Sequence, residues 1–362
     1  MQQLPPWADA ILIPIFSLLL AASLSACAIL AIGENPMAAA RLMVEGAVGS
    51  TYAWGYTLYY ATNFIFTGLA VAVAFHARLF NIGGEGQAML GGLAVALICL
   101  LIPWPHWILA FIFAAIAAMA FGAIWAAIPA ILQAKRGSHV VITTILFNFI
   151  AAGFLNYVLV NLLRPASSMD PASARFPETT QLPTLHDLLA LLNISFSKAA
   201  PANVSFLVAL LACVLVWHLI WRTRLGYEIR AFGHSETGAV YAGISPFKVI
   251  MISMLVSGGL AGLMAINNVM GEAERLTLNA TEGAGFIGIA VALMGRSHPF
   301  GVVLAAILFG ALYQGGAELA LWTSIPRELI IVIQALVILF IGALDNMIRM
   351  PLAHIYSAFR HS

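Results

Sequence analysis

Apolar segments of about twenty residues recur along this chain and constrain its fold more than any other feature. A helix of about twenty residues crosses the ~30 Å hydrocarbon core of a bilayer. Here 62% of the residues are hydrophobic and only 9% are charged. The segments lie near residues 10–32, 55–77, 83–102, 106–132, 141–163, 203–221, 247–270, 284–296, 299–318 and 327–345. The pattern predicts an all-α, polytopic integral membrane protein with about ten transmembrane segments.

The eighth segment, residues 284–296, is shorter than the others. At 1.5 Å of rise per residue it does not reach across the ~30 Å of hydrocarbon by itself. We expect either a half-helix or a span that borrows residues from its flanks.

The charged residues between the segments predict the orientation. With both termini in the cytoplasm, the inner side holds ten of the 16 Lys and Arg residues but only five of the 15 Asp and Glu residues. Basic loops stay preferentially inside, so this orientation is favoured over the reverse. Residues 222–245 are then a cytoplasmic loop. Residues 164–202 are then an extracytoplasmic loop, with an interfacial helix predicted over 185–192.

A Gly-rich polar stretch, residues 79–92, interrupts the otherwise apolar sequence. Asn81, Glu85 and Gln87 stand there among five glycines. A carboxylate at the centre of a membrane helix costs roughly 2.5–3.5 kcal/mol on insertion scales. Irregular backbone at membrane depth persists only where it is buried in protein or lines a cavity. The stretch is either a surface loop or a broken helix beside a translocation pathway, and we predict a non-helical or half-helical segment at 80–87.

Two interpretations of Glu85 remain open from the sequence. It lines the pathway, or it is a structural partner for helix-end amides or for Arg78. The other polar residues in apolar segments raise the same question, because they either line the path or bond across helices. The candidates for the pathway are Asn63, Asn81, Glu85, Gln87, Asn148 and Asn267.

Enzymatic chemistry has no motif in this chain. The nine His and three Cys residues show no metal-ligand spacing, so no metal site is predicted. None of the three lysines follows a glycine as Gly-Lys-Ser/Thr, so the Walker A loop for ATP is missing. We predict a transport protein that is not an enzyme, binds no cofactor and, at a net charge of +1, no nucleic acid.

Residues Phe80–Gln87 resemble the Asn-Ile-Gly-x-Glu-Gly-Gln signature of ABC-importer permeases of the nucleoside and simple-sugar group. This group belongs to the branched-chain amino acid and ribose-type permease superfamily. Further segments resemble the family in the same order: Thr67–Phe75, Thr144–Asn148, Leu225–Gly233, Tyr241–Ile244, Ser257–Gly262 and Gly285–Gly295. The resemblance covers most of residues 55–345.

The resemblance implies one transmembrane permease domain over residues 1–362, with the fold of a type II ABC-importer permease. A separate ATPase subunit would use ATP and Mg²⁺ and drive alternating access. The other implied partners are an extracytoplasmic binding protein, a second, related permease that makes a heterodimer, and the lipid of a bacterial inner membrane. An ion-gradient-driven secondary transporter is the alternative, which the scarcity of intramembrane carboxylates disfavours.

The cytoplasmic loop would carry the coupling helix that seats in a groove of the ATPase. The expected coupling residues are Arg230, Ser235, Glu236, Tyr241 and Gly243. Ser235 suits the N-cap of a short helix, Gly243 its stop, and Gly238 a bend. The chain departs from the family here, with Ser235-Glu236 in place of Asn-Pro and Gly238–Val240 in place of Ala-Ala-Arg.

Overall fold

A computed structural model describes residues 6–340, and most of these residues are helical. The α-helices are α1 (Pro6–Ala31), α2 (Pro36–Val48), α3 (Thr51–His76), α4 (Gly84–Leu101), α5 (Trp107–Arg136), α6 (Val140–Val158), α7 (Leu185–Ala190), α8 (Ser205–Arg222), α9 (Arg224–His234), α10 (Glu236–Tyr241), α11 (Pro246–Leu263), α12 (Ala284–Met294), α13 (Pro299–Trp322) and α14 (Arg327–Ile338). Two π-helical turns, Leu159–Leu163 and Ile266–Glu272, follow α6 and α11. Within residues 6–340 the only β pairings are two isolated bridges.

Helices begin and end where the sequence offers capping chemistry. The Asn35 side chain accepts hydrogen bonds from the amides of Met37 and Ala38 at the start of α2. Ser245 caps α11 in the same way, immediately before Pro246. Gly137 closes α5 in the left-handed conformation, at φ +68°.

The described residues contain seven helices that are long and apolar enough to cross a membrane. They are α3, α4, α5, α6 with its π turn, α8, α11 with its π turn, and α13. The pair α1 and α2, bent by 119°, would be an eighth if it forms one span. The polytopic all-α prediction is confirmed at this level, and the seven fall short of the predicted count of about ten.

The remaining predicted segments differ from simple spans. Helix α12 has 11 residues and is therefore about 16 Å long. Of the two alternatives for residues 284–296, this length matches the half-helix. The first part of the last predicted segment, 327–345, forms α14. Residues 341–345 of that prediction lie outside the described residues. The termini, whose cytoplasmic location is predicted, also lie outside them.

The chain divides into two compact units. The described residues of one unit are 6–53 and 311–340, with a core of Ile29, Ala39, Leu319, Ile330 and Ile333. The other unit comprises residues 54–310 and carries all the predicted pathway and coupling residues.

In the unit of residues 54–310, three helices form the centre. The most apolar stretches of α3, α4 and α11 are 83%, 72% and 78% buried, whereas those of α5, α6 and α8 are only 22–33% buried. Helices α5 and α11 pack backbone to backbone, because a Cβ added at Gly122 would lie 2.2 Å from the Gly258 carbonyl oxygen. Such small-residue contacts are typical of helices packed in lipid.

The loops of this unit lie at its two ends. Helices α9 and α10 lie between α8 and α11, at the end that we name the α10 face. Residues 164–202 lie between α6 and α8 at the other end, and they contain α7, the helix predicted over 185–192. A capping box joins Thr184 and Asp187 at the start of α7. These hydrogen bonds from Thr184 hold the pKa of Asp187 below its usual range.

Candidate functional site

The chain leaves helical geometry between α3 and α4, as the Gly-rich motif predicts. Helix α3 ends at His76, Arg78 takes a left-handed conformation at φ +54°, and residues 79–82 belong to no helix. Helix α4 then begins at Gly84. The predicted break at 80–87 is therefore confirmed for 80–83, and Glu85 and Gln87 lie in the first turn of a helix.

Asn81 organises this break through its side-chain amide. Its Oδ1 accepts from the Gly83 amide at 2.9 Å and from Gln87 Nε2 at 3.1 Å. Its Nδ2 donates to Gln87 Oε1 and to Ser257 Oγ, both at 2.9 Å. The Ser257 hydroxyl in turn donates to the Ala70 carbonyl at 2.6 Å, which ties the break to α3 and α11.

Helix α6 closes the other side of the break. Asn148 donates from Nδ2 to the Ile82 carbonyl and accepts from the Gly86 amide at Oδ1, both at 2.9 Å. The Ile82 amide donates to Thr144 Oγ1 at 3.3 Å. The amide and carbonyl of Ile82 and the amides of Gly83 and Gly86 thus have side-chain partners, as burial requires.

Glu85 lies where two helices begin. Its carboxylate accepts from the Thr281 hydroxyl at 2.5 Å and from the amides of Gly283 at 3.0 Å and Gly285 at 2.9 Å. The residue is only 6% exposed. These amides belong to the N-terminus of α12, and Glu85 itself is in the first turn of α4. The carboxylate therefore faces the positive ends of two helix dipoles, which is the structural alternative left open by the sequence, with α12 rather than Arg78 as the partner.

The meeting point of α4 and α12, which we name the helix junction, lies near the middle of α3. Helix α12 runs alongside the second half of α3, since a Cβ at Gly288 would lie 2.6 Å from Thr67 and His76 Nε2 is 3.1 Å from the Ser297 carbonyl. At Gly285 the backbones approach so closely that a Cβ would lie 2.2 Å from the Glu85 nitrogen. Glycine is required there by space.

A second polar group surrounds the π-helical turn after α11. Asn267 donates from Nδ2 to Asn63 Oδ1 at 2.9 Å and to the Tyr59 carbonyl at 3.0 Å. Its Oδ1 accepts from Asn203 at 3.1 Å. All six predicted pathway residues are thus buried and bonded to protein groups, in two separate groups. Their role in lining a pathway stays a prediction.

Sequence reasoning missed the partners of these residues. Thr281, Ser257, Thr144 and Asn203 each complete a buried hydrogen-bond network. Ser257 and Thr144 lie within segments that resemble the family, which was a usable signal. Thr281 and Asn203 precede the starts of α12 and α8 by a few residues, where caps are expected.

The short helix predicted in the cytoplasmic loop is present as α10, and its coupling role stays a prediction. Ser235 is its N-cap, accepting from the Gly238 amide at 3.1 Å, and Gly243 ends it at φ +80°. Gly238 lies inside the helix, so the predicted bend there is wrong, because the Ser235 cap draws that turn into α10. Ala239 is the buried anchor, whereas Val240 and Tyr241 are 50% and 89% exposed and Glu236 is exposed. Arg230 is half-buried on α9.

Helix α9 is braced against α11 beside α10. Glu228 accepts from Lys248 Nζ and from Arg224 Nε, both at 3.1 Å. The hydrogen bond from Lys248, with its positive charge, lowers the pKa of Glu228, and Arg224 adds to the effect. In the described part of the chain no group of three or more His, Cys, Asp or Glu side chains could hold a metal ion.

Known proteins are similar in sequence to this chain over most of its length. The family described as the branched-chain amino acid transport system / permease component matches residues 54–342. The guanosine ABC transporter permease protein NupP of Bacillus subtilis is 35% identical over 92% of this chain and 93% of its own. The glucose ABC transporter permease protein TsgB13 of Haloferax volcanii is 33% identical, over 91% and 86%.

A second guanosine ABC transporter permease protein of Bacillus subtilis, NupQ, is 28% identical over 75% of this chain and 84% of its own. No solved structure matches the chain. The apolar helices and the extent of these similarities identify a multi-pass membrane protein. The relatives named here are permease proteins of ABC transporters, and this chain belongs to the same branched-chain amino acid transport system / permease component family.

Proposed function

We propose that this chain is a transmembrane permease subunit of an ATP-driven importer for nucleosides, with simple sugars as the second substrate class. The helix junction, with Glu85 between the starts of α4 and α12, is the observation that carries this proposal. Discontinuous helices that meet near the midplane are the usual substrate region of transporters. Similarity to guanosine and glucose permeases favours these substrate classes.

The junction is the proposed centre of alternating access. Glu85 joins the start of α4 to α12, so a relative movement of those helices has to exchange its hydrogen bonds. Asn81, Gln87 and Asn148 fix the start of α4 to the break, to α11 and to α6. Asn63 and Asn267 form the second group, near the end of α11. In this proposal these side chains line the pathway in the states where the junction opens.

Helix α10 is the proposed contact with a separate ATPase subunit, which uses ATP and Mg²⁺. Its exposed Val240 and Tyr241 offer apolar surface on a short, capped helix, and this suits a groove in a partner protein. Ser235, Glu236 and Gly243 fix the shape of this helix or flank it. Arg230 acts from α9, behind the exposed surface of α10.

The assembly proposed here contains further partners in a bacterial inner membrane. A second, related permease completes a heterodimer, consistent with similarity to two guanosine permease chains of one bacterium. An extracytoplasmic binding protein delivers substrate to the face that carries residues 164–202. With both termini in the cytoplasm, about ten membrane segments result when α1, α12 and α14 are added to the seven long apolar helices.

Reconstitution tests the proposed function. The chain is placed in proteoliposomes with an ATPase subunit, a second permease and a binding protein encoded beside it, and uptake of labelled guanosine and glucose is measured. Uptake is expected to require ATP, to persist with a proton uncoupler, and to stop when the ATPase is omitted. Uptake driven by an ion gradient through this chain alone would instead identify a secondary transporter.

A further inference from the structure

A positively charged cavity of about 400 Å³ opens on the α10 face, between the end of α3, the end of α12 and α9. Arg78, Arg296, His76 and His234 line it, and none of its described lining residues is Asp or Glu. At about 30 Å³ per water it has room for roughly a dozen waters. A charged partner group can therefore enter it without moving a helix.

The cavity gathers basic side chains at the ends of two helices. Arg78 and Arg296 follow the last residues of α3 and α12 and take positive φ angles of 54° and 52°. The C-terminal ends of two helices supply about half a negative charge each. Arg230, on α9, has a buried Nε with no hydrogen-bond partner among the described residues. Arg78 is exposed, and none of the described lining residues beside it is acidic, so its guanidinium is available to a partner.

The walls of the cavity are fixed by close backbone contacts. A Cβ added at Gly233 would lie 2.0 Å from the His76 carbonyl oxygen, so α9 is pressed onto the end of α3. The His76 and Trp221 rings are 5.0 Å apart, and the Trp221 and His298 rings are also 5.0 Å apart. The cavity is therefore preformed, and such a site binds its partner at a low ordering cost.

We propose that this cavity is a socket for acidic side chains of the ATPase subunit, a second contact beside α10; the inference rests on the proposed function. Gly233 and His234 line the cavity, and the next residue, Ser235, caps α10, so the two surfaces are continuous. Phospholipid is the disfavoured occupant, because the apolar stretch of α3 is 83% buried whereas that of α5 is only 22% buried. The cavity lies at the end of a central helix.

Charge reversal at the socket tests this inference. Affinity for the purified ATPase subunit is measured on the full permease assembly in nanodiscs of zwitterionic lipid. Arg78→Glu is expected to weaken binding about tenfold at ~50 mM salt and much less at ~500 mM, where charges are screened. The matched control is Arg136→Glu, an exposed residue at the end of α5 on the same face and outside the cavity, with an expected change below about twofold.

Further measurements separate the possibilities. Thermal melting of the Arg78→Glu assembly without ATPase should match that of the native assembly, which excludes a folding defect. Equal affinities of the Arg78→Glu and Arg136→Glu variants would overturn the socket. A loss of affinity that appears only in nanodiscs with anionic lipid would overturn it in favour of a lipid site. If the native assembly itself binds no ATPase, the proposed function fails, whereas loss of binding in Tyr241→Asp but not in Arg78→Glu removes the socket alone.

Discussion

Glu85 carries a negative charge into a buried position, and three hydrogen-bond donors of the α12 region face it there. A buried carboxylate is stable when it is bonded in this way, and the two helix N-termini add favourable dipole interactions. The residue thus stabilises the helix junction in the conformation described. A transport role would require these same bonds to change during the cycle.

Replacing Glu85 by Gln tests both properties. The amide removes the charge and turns one acceptor into an NH₂ group opposite a backbone N–H, so we expect a loss of about 1–3 kcal/mol in unfolding free energy with the fold retained. Uptake should fall because the junction no longer closes correctly. Thermal melting and uptake by proteoliposomes measure the two effects. Glu236→Gln on exposed α10 is the control for stability, and equal melting of the two variants would contradict this account.

Glycines at the junction make a second, steric prediction. Gly285→Ala places a Cβ about 2.2 Å from the Glu85 nitrogen, so the backbones must separate and the yield of folded protein should drop sharply. Gly84→Ala places its Cβ 3.4 Å from the Gly285 carbonyl oxygen, an ordinary contact. Gly153→Ala, with open space around it, is the neutral control. Fluorescence-detected gel filtration of the three variants measures the difference, and similar profiles would mean that the contact is not this tight.

At the scale of elements, helix breaks and caps set by neighbouring residues could be predicted from the sequence. Contacts between residues far apart in the chain could not. The break at 80–83 and the cap and stop of α10 follow from Asn, Gly and Ser chemistry within a few residues. The partner of Glu85, Thr281, is 196 positions away along the chain, and no local pattern identifies it. For the same reason the tight glycine at position 285 could not be distinguished from Gly84 by sequence.

Helix α10 carries the prediction at this scale. Gly243 has φ +80° and no atom within 4 Å of an added Cβ, so its requirement for glycine is conformational. Gly243→Val should strain the helix end by about 1–2 kcal/mol and misplace α10, which uncouples ATP hydrolysis from uptake in inserted protein. Gly243→Asn, which tolerates this conformation, is the matched control. The ratio of transported substrate to hydrolysed ATP measures coupling, and an unchanged ratio in Gly243→Val would place the coupling contact elsewhere.

At the scale of the whole molecule, the two faces of the unit of residues 54–310 differ in charge. The α10 face gathers Arg78, Arg296 and Arg230, whereas the loop before α12 at the other end carries Glu272, Glu274 and Glu282. Glu274 lies 3.6 Å from Arg175 and accepts from Gln181 at 3.1 Å, which ties this loop to residues 164–202. The hydropathy pattern predicted many helices, and the charged residues between them predicted this asymmetry, but neither predicted the contact between the starts of α4 and α12.

The acidic face leads to a prediction about the binding protein. A partner with a basic docking rim should associate more weakly as salt rises from ~50 to ~500 mM, because exposed charges are screened within about 8 Å at physiological ionic strength. Glu272→Gln should reduce the salt dependence, since one acid is removed, whereas Glu236→Gln on the α10 face should leave it unchanged. Association rates of the binding protein with the nanodisc-embedded assembly measure both variants. A binding protein with an acidic rim, or rates that ignore salt, would show that shape rather than charge selects the partner on this face.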